Sequence, residues 1–490
     1  RHNEAEVAIR QVLKQNPQHA EGNLLLATQL VRRHEFARAE HLLQPLLSHP
    51  EVGAAASSEL ARLYSQIGEQ EKMLENCRRA AELQPKNLQL KSQLLWGLQR
   101  AGRADGEELA QCLRAYGEQF QPNAVLPHLN APVLGRKLRI GLVSGNLHET
   151  DAINTQLPVF TLIDKAQFET FYYYNGHQYD SWIHRLKTQH ADHWRFTHGI
   201  SADVMVELVR QDEIDILIDL DGHQPFSFIE AFAYKPAPIQ MRWTAQPDAS
   251  GLSNIDYLLT DAILAPDNQL PANYQERAFS LPERSYIVYQ PFANHMERAN
   301  MRPYQLQQPP CIQNGYITFG CFLNTPAALS PQMLAMFATL LETTPGAVLL
   351  VSPPSIVLTV AQAMSAQGID GNRVKRLTTI GQLNSMEYYC QSVDILLDGF
   401  PDNNPHSTLH ALWMGVPVVT LCADQPSTRT SASILHYLGR SEWIAHTEAQ
   451  YQEIVHTLAN DTARLENLRT TLRTEMENSA LTDGVSYTKA

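Results

Sequence analysis

Apolar positions recur at helical spacing through residues 1–120 and then give way to short continuous apolar runs, so pattern alone divides the chain. In the first part Pro17, Pro50 and Pro85 each follow an amphipathic stretch ("VLKQNP", "LLSHP", "AAELQP") and stand 33 and 35 residues apart. Between them the pattern predicts paired helices, such as "AEGNLLLATQLVRRHEF" with "ARAEHLLQPLLSHP". Ala27, Ala37, Ala61 and Ala80 fall where such helices would approach closely. A Pro-interrupted linker (121–136) precedes a set of predicted strands at 138–144, 168–174, 214–220, 239–245 and 255–261. The Pro-rich stretch "YQLQQPPCIQNG" opens a second set, "ITFGCF", "AVLLVSPP", "RLTTIG", "VDILLDGF" and "VPVVTL". Apolar runs separated by helices predict parallel sheets covered on both faces.

The proline spacing is near the 34-residue period of a tetratricopeptide array. The expected fold class is therefore an α-helical tetratricopeptide solenoid (1–120) followed by α/β GT-B. The GT-B part comprises two Rossmann-like lobes, 137–303 and 304–490, the latter closing with a helix. Such a solenoid offers a concave face to an extended peptide or to another copy of itself. Two lobes in tandem place a cleft between the carboxyl ends of both sheets, where ligands bind in open α/β folds. GT-B serves glycosyltransferases, and also epimerases and glycogen phosphorylases. The chain begins at Arg1, inside a helical pattern, and the array is expected to extend upstream.

Charge and composition narrow the field. The net charge of -13 excludes the basic face expected of a nucleic-acid binder. No apolar run approaches the roughly 20 residues of a membrane span. The 6 cysteines are scattered, without zinc spacing, and read as free thiols of a reducing, cytoplasmic setting. Neither lobe carries G-x-G-x-x-G after its first strand, and no G-x-x-x-x-G-K-[ST] occurs, which removes the usual support for dinucleotide or P-loop enzymes. "DLDG" (219–222) has D-x-D spacing but sits at a strand end, where Asp commonly closes a turn; no metal is expected. "NPHSTLHALWMG" is the best candidate for a diphosphate site. It predicts a helix starting around Ser407, with Ser and Thr as N-caps and unpaired amides facing an anion.

The stretches "LRIGLVSGNLHETD", "DILIDLDGH", "AFAYKPAPIQMRW", "IDYLLTDAILAP", "VDILLDGFPDNNPHSTLHALWMGVPVVTL" and "TRTSASILHYLG" resemble the O-GlcNAc transferases, including the SPINDLY-like proteins. They occur in family order across 137–460. The resemblance implies inverting, metal-independent transfer of a sugar from a UDP-sugar to a protein side chain, without a cofactor, the nucleotide being held by the second lobe (304–490), the donor side, and the first lobe (137–303) being the acceptor side. Arg429 matches a family arginine near a helix start. Gln382, Leu383 and Glu387 lie where the family places the uracil base.

Four departures gather at the same cleft. The family lysine that reaches the donor phosphates is matched by about Ala328, in "NTPAALSPQ". A family histidine falls near Thr150, with His148 two residues earlier. His410 replaces a ribose-contacting Asp, and "TAQPDASG" keeps only Pro247, Ser250 and Gly251 of a family turn. One explanation is a transferase site rebuilt for a different sugar donor or acceptor: Asn324, Thr325 and helix-start amides cradle phosphate, His406, His410 or Arg429 supplies charge with Ser407 and Thr408 alongside, and His148 with Asp151, or His223, accepts the proton. The other is a scaffold that binds a nucleotide sugar or a protein partner without chemistry. The cleft's Asp, His, Asn and Ser residues weigh toward activity.

Overall fold

The structure is a computed structural model and describes residues 2–101, 106–120, 127–132, 134–147, 155–290, 306–323, 325–376 and 386–490. Its first part is a stack of antiparallel helices: His2–Gln15, Ala20–Arg32, Phe36–Leu43, Gly53–Ile67, Gln70–Leu83, Leu88–Arg100 and Glu107–Gly117. Pro17, Pro50 and Pro85 lie just beyond helix ends, where a residue without an N–H interrupts no ladder. Ala27, Ala61 and Ala80 are fully buried between neighbouring helices. Ala37 is not: it faces solvent, and Ala39, two positions on, takes the contact.

Two all-parallel sheets follow. The first joins β1 (Leu138–Ser144), β2 (Phe168–Tyr174), β3 (His193–Phe196), β4 (Ile216–Asp219), β5 (Ile239–Arg242), β6 (Tyr257–Thr260) and β7 (Arg277–Ser280) in the order β3-β2-β1-β4-β5-β6-β7. The second joins β8 (Thr318–Phe322), β9 (Val348–Ser352), β10 (Val374–Arg376), β11 (Ile395–Leu397), β12 (Val418–Leu421) and β13 (Ile444–Ala445) in the order β10-β9-β8-β11-β12-β13. With the helical stack this is the GT-B architecture expected. β3, β7 and β13 were not expected: all three are edge strands, β3 and β7 are short and mix polar with apolar residues, and β13 is too brief to leave an apolar run.

The repeats are not a separate body. Leu95, Leu98, Leu113 and Phe120 share one core with Phe228, Phe232 and Leu252 of the first lobe. The lobes are tied by a crossing segment: Ser285 Oγ lies 2.9 Å from Ser433 Oγ, and Asp261 accepts from the Ser433 hydroxyl at 2.5 Å and the Tyr286 amide at 2.8 Å. The helix Gly484–Lys489, assigned by sequence to the second lobe, lies against the first. Tyr487 donates to Tyr286 O and stacks on Trp243, and Gly484 abuts Pro158.

Candidate functional site

Each sheet reverses its winding once, between β1 and β4 and between β8 and β11, and the carboxyl ends of these strands form the crevices that bind ligands in such folds. In the second lobe the crevice is walled by the segment after β8 and the segment 398–404 after β11. The two are stapled together: Ser330 Oγ donates to Phe400 O at 2.7 Å, and Asn404 Nδ2 donates to Phe322 O at 2.9 Å. Ala328, about where the resemblance puts the family lysine, is 2 % exposed within a tight turn, Pro326–Ala328. No cation arises there.

The helix of the diphosphate candidate runs Pro405–Trp413, so it starts two residues before Ser407, and its cap is Asn404. The shift follows from Pro405, whose fixed φ suits the first helical position. Asn404 Oδ1 accepts from the Ser407 amide at 3.1 Å, and Asn404 O from the Thr408 amide. The neighbouring helix Pro331–Thr343 repeats the scheme, with Ser330 accepting from the Met333 amide. Proline at the first position and a capped third amide leave each start at most one amide, of His406 or Gln332, for a ligand.

The other candidate residues scatter around this crevice. Ser407 Oγ donates back to Asn404 O, and Thr408 Oγ1 lies 2.9 Å from Ser431 Oγ, joining this helix to Thr430–Tyr437; both residues are buried. His406, partly exposed, occupies the second helical position, and His410, one turn on, is buried with Nδ1 3.0 Å from the Tyr289 hydroxyl. Arg429 donates from Nε to Ala423 O at 2.6 Å and from Nη1 to Ile263 O at 3.4 Å. It lines a cavity of about 510 Å³ between the lobes, with Pro266 on one side and Cys422 and His446 on the other. Thr325 Oγ1 is buried without a partner among the described residues. His148, Asp151, Asn324, Gln382 and Leu383 lie outside the described residues.

His223 stands at the joint of repeats and first lobe. Its Nε2 lies 3.0 Å from Ser250 O and its Nδ1 2.8 Å from Ser92 Oγ. A carbonyl only accepts, so Nε2 carries the proton and Nδ1 takes one from the serine. Burial, then Arg242, pushes the imidazole down to about 3. Both nitrogens are thus engaged in holding the interface.

Sequence reasoning missed a set of buried carboxyls. Asp219 accepts from the amides of Asp221 and Gly222 and pairs with Arg242, so "DLDG" closes a turn. Asp221 accepts from Ser144 Oγ at 2.8 Å and the Gly145 amide at 2.6 Å, and burial, then Asp219, pushes it up to about 7. Asp398 accepts from the Asn404 amide and Thr420 Oγ1 and is pushed by burial to about 6. Asp402 meets Arg100 of the repeats, Nη1 to Oδ1 at 3.0 Å, and burial raises it to about 7 despite that partner. The same guanidinium binds Asp248, in "TAQPDASG". Among the described residues no cluster of His, Cys, Asp and Glu could hold a metal ion.

A helical repeat joined to two parallel lobes, each sheet reversing its winding once, is the GT-B architecture. The model of glycosyl transferase family 41 matches residues 120–307 and 306–490, and the chain belongs to that family. It is similar to a Hordeum vulgare protein, "Probable UDP-N-acetylglucosamine-peptide N-acetylglucosaminyltransferase SPINDLY", with 34% identity over 302 residues, 60% of this chain and 31% of that one. The Arabidopsis thaliana protein of the same description called SEC is 28% identical over 366 residues, 72% of this chain and 36% of that one. The chain thus spans about a third of the length of these curated relatives. The solved structure of a mutant O-GlcNAc transferase of Thermobaculum terrenum superposes with a TM-score of 0.86 at 28% identity, covering 99% of this chain and 91% of that one.

Proposed function

We propose that the chain transfers a sugar, N-acetylglucosamine by default, from a UDP-sugar to hydroxyl groups of protein Ser and Thr, with inversion and without a metal. The observation that carries this reading is the family match across both lobes. In the reaction the acceptor oxygen attacks the anomeric carbon from the face opposite UDP. The bond from that carbon to the diphosphate breaks, UDP leaves with the electron pair, and the acceptor proton passes to a base. The base is His148, with Asp151 three residues on.

Charge on the departing UDP would be met by Arg429 and by His406, the histidine of its helix not sealed in the core. The acceptor polypeptide is taken to run along the concave face of the repeats. The cytoplasmic location stays an expectation from the scattered cysteines of the sequence; among the described residues no helix is long and apolar enough to cross a membrane. A second reading, a scaffold that binds nucleotide sugar without transfer, has one observation in its favour, the buried Ala328 where the family has lysine.

Calorimetric titration with UDP-, GDP- and dTDP-sugars and with free UDP, run beside assays of hydrolysis and of transfer to Ser/Thr peptides, separates the readings. Binding of a UDP-sugar with hydrolysis or transfer supports the enzyme. Binding with neither supports the scaffold, and no nucleotide binding rejects both.

A further inference from the structure

Both segments that wall the donor-side crevice are gripped by the repeat domain. At the start of the Gln70–Leu83 helix, Gln70 Nε2 donates to Ala327 O at 2.6 Å, inside the turn that carries Ala328. Gly68, two residues earlier at φ +79°, lies against Pro326 and Ile356, where a Cβ would approach each to 3.3 Å. In the last turn of the Leu88–Arg100 helix, Arg100 joins Asp402 of the second lobe to Asp248 of the first, and Gln99 Nε2 donates to Ala249 O at 2.9 Å. The three charged residues are 6 %, 3 % and 7 % exposed for Arg100, Asp402 and Asp248. Gln246 Nε2 then donates to Asn403 O, so the first lobe holds the same loop one residue further on.

A buried ion group of this kind is poor value as a stabiliser, since apolar residues of similar volume often serve as well, and fixing a geometry is its better-attested use. What it fixes here is the loop that ends in Asn404, the cap of the helix bearing His406. We propose that Gln70 and Arg100 are positioning residues for the nucleotide site: the repeat domain sets where segments 325–329 and 398–404 stand, and thereby sets donor affinity. The inference rests on the donor-site reading above.

Asp402 gives it a pH signature. Around the carboxyl stand Arg100, Asp248 and Asp398. Beyond Asp248 lie Arg242, which bonds the Asp248 carbonyl and pairs with Asp219 and Glu276, and Tyr274, whose hydroxyl donates to Pro247 O. With one guanidinium between two carboxylates, loss of the Asp402 proton alters the pull on the loop near neutral pH.

The test titrates the full chain with free UDP by calorimetry, alongside thermal unfolding, for the unaltered protein and for Gln70→Leu, Arg100→Lys and Asp402→Asn. Gln70→Leu, a partly exposed position, keeps the fold and is expected to weaken UDP binding severalfold at an almost unchanged Tm. Arg100→Lys keeps the charge but loses the two-armed grip, with an expected loss of about tenfold. UDP affinity of the unaltered chain is expected to vary between about pH 6 and 8, and Asp402→Asn to flatten that profile. UDP binding that neither Gln70→Leu nor Arg100→Lys weakens, with a pH profile that Asp402→Asn leaves unchanged, overturns the inference while the donor site stands. If the unaltered chain binds no UDP, inference and donor site fall together.

Discussion

His223 loses proton affinity on folding, from the ordinary 6.5 to about 3, because burial and Arg242 both disfavour the imidazolium. Between these values the unfolded chain holds a proton that the folded chain refuses. The residue's contribution to stability is therefore complete above about pH 6.5 and drains away as the pH falls toward 3. Its ring resonances should show no titration between about pH 5 and 8; an NMR midpoint near 6.5 would mean that the ring is open to solvent. His223→Phe fills the space but strands the Ser92 hydroxyl and the Ser250 carbonyl, an expected loss of about 2 kcal/mol in urea unfolding. At the crevice, Arg429→Ala or His406→Ala should weaken UDP binding by about tenfold each, since each is expected to meet the diphosphate with a charge-assisted bond; His406→Ala should shift Tm little, whereas Arg429→Ala also strands Ala423 O and Ile263 O and should lower it. Unchanged affinity in both would move the diphosphate elsewhere.

Among the elements, the helix Pro405–Trp413 is the most exacting, because its first turn is fastened at both ends of one side chain. Asn404 accepts from the Ser407 amide and donates to Phe322 O. Asn404→Ala removes both bonds, and the expected cost in chemical denaturation is about 1–2 kcal/mol. Asn404→Asp, which keeps only the acceptor, should recover part of it. This helix also shows what could be read beforehand. The apolar runs of β1, β2, β8 and β11 announced themselves, since strands covered on both faces need apolar residues throughout. The start at Pro405 was legible in "NNPHS", had the preference of proline for the first helical position been set above that of Ser and Thr for capping. Arg100 was not legible. An arginine closing a repeat helix reads as a surface residue, and its partner Asp248 is 148 residues away in the sequence. The buried roles of Thr408 and His410 were hidden for the same reason, because Ser431 and Tyr289 come from other elements.

At the scale of the whole molecule, Asp221, Asp398 and Asp402 reverse the usual behaviour of carboxyls. Burial raises them from the ordinary 3.8 to about 7, 6 and 7. Between about pH 4 and 7 the folded chain holds protons that the unfolded chain has released, so stability falls as the pH rises through that window. His223 works the other way, but only below about pH 6.5. Thermal unfolding should accordingly give a lower Tm at about pH 8 than at about pH 6, and Asp402→Asn should narrow the gap. An equal or higher Tm at the alkaline end would show that these carboxyls are ionised within the fold. The self-repulsion of a chain of net charge -13 acts in the same direction, since it too eases as the pH falls toward 6.

The helix Gly484–Lys489, seated on the first lobe, has a consequence in time. The last strand of that lobe ends at Ser280, and the helix that covers it begins at Gly484. At a ribosome's pace of roughly 5–20 residues per second, about 10–40 seconds separate the two. Throughout that interval Trp243 and Pro158 await Tyr487 and Gly484, and the nascent first lobe presents them bare. Chaperone capture of stalled chains should therefore be strongest for those cut between residues 280 and 484, and should drop once the final turn has emerged.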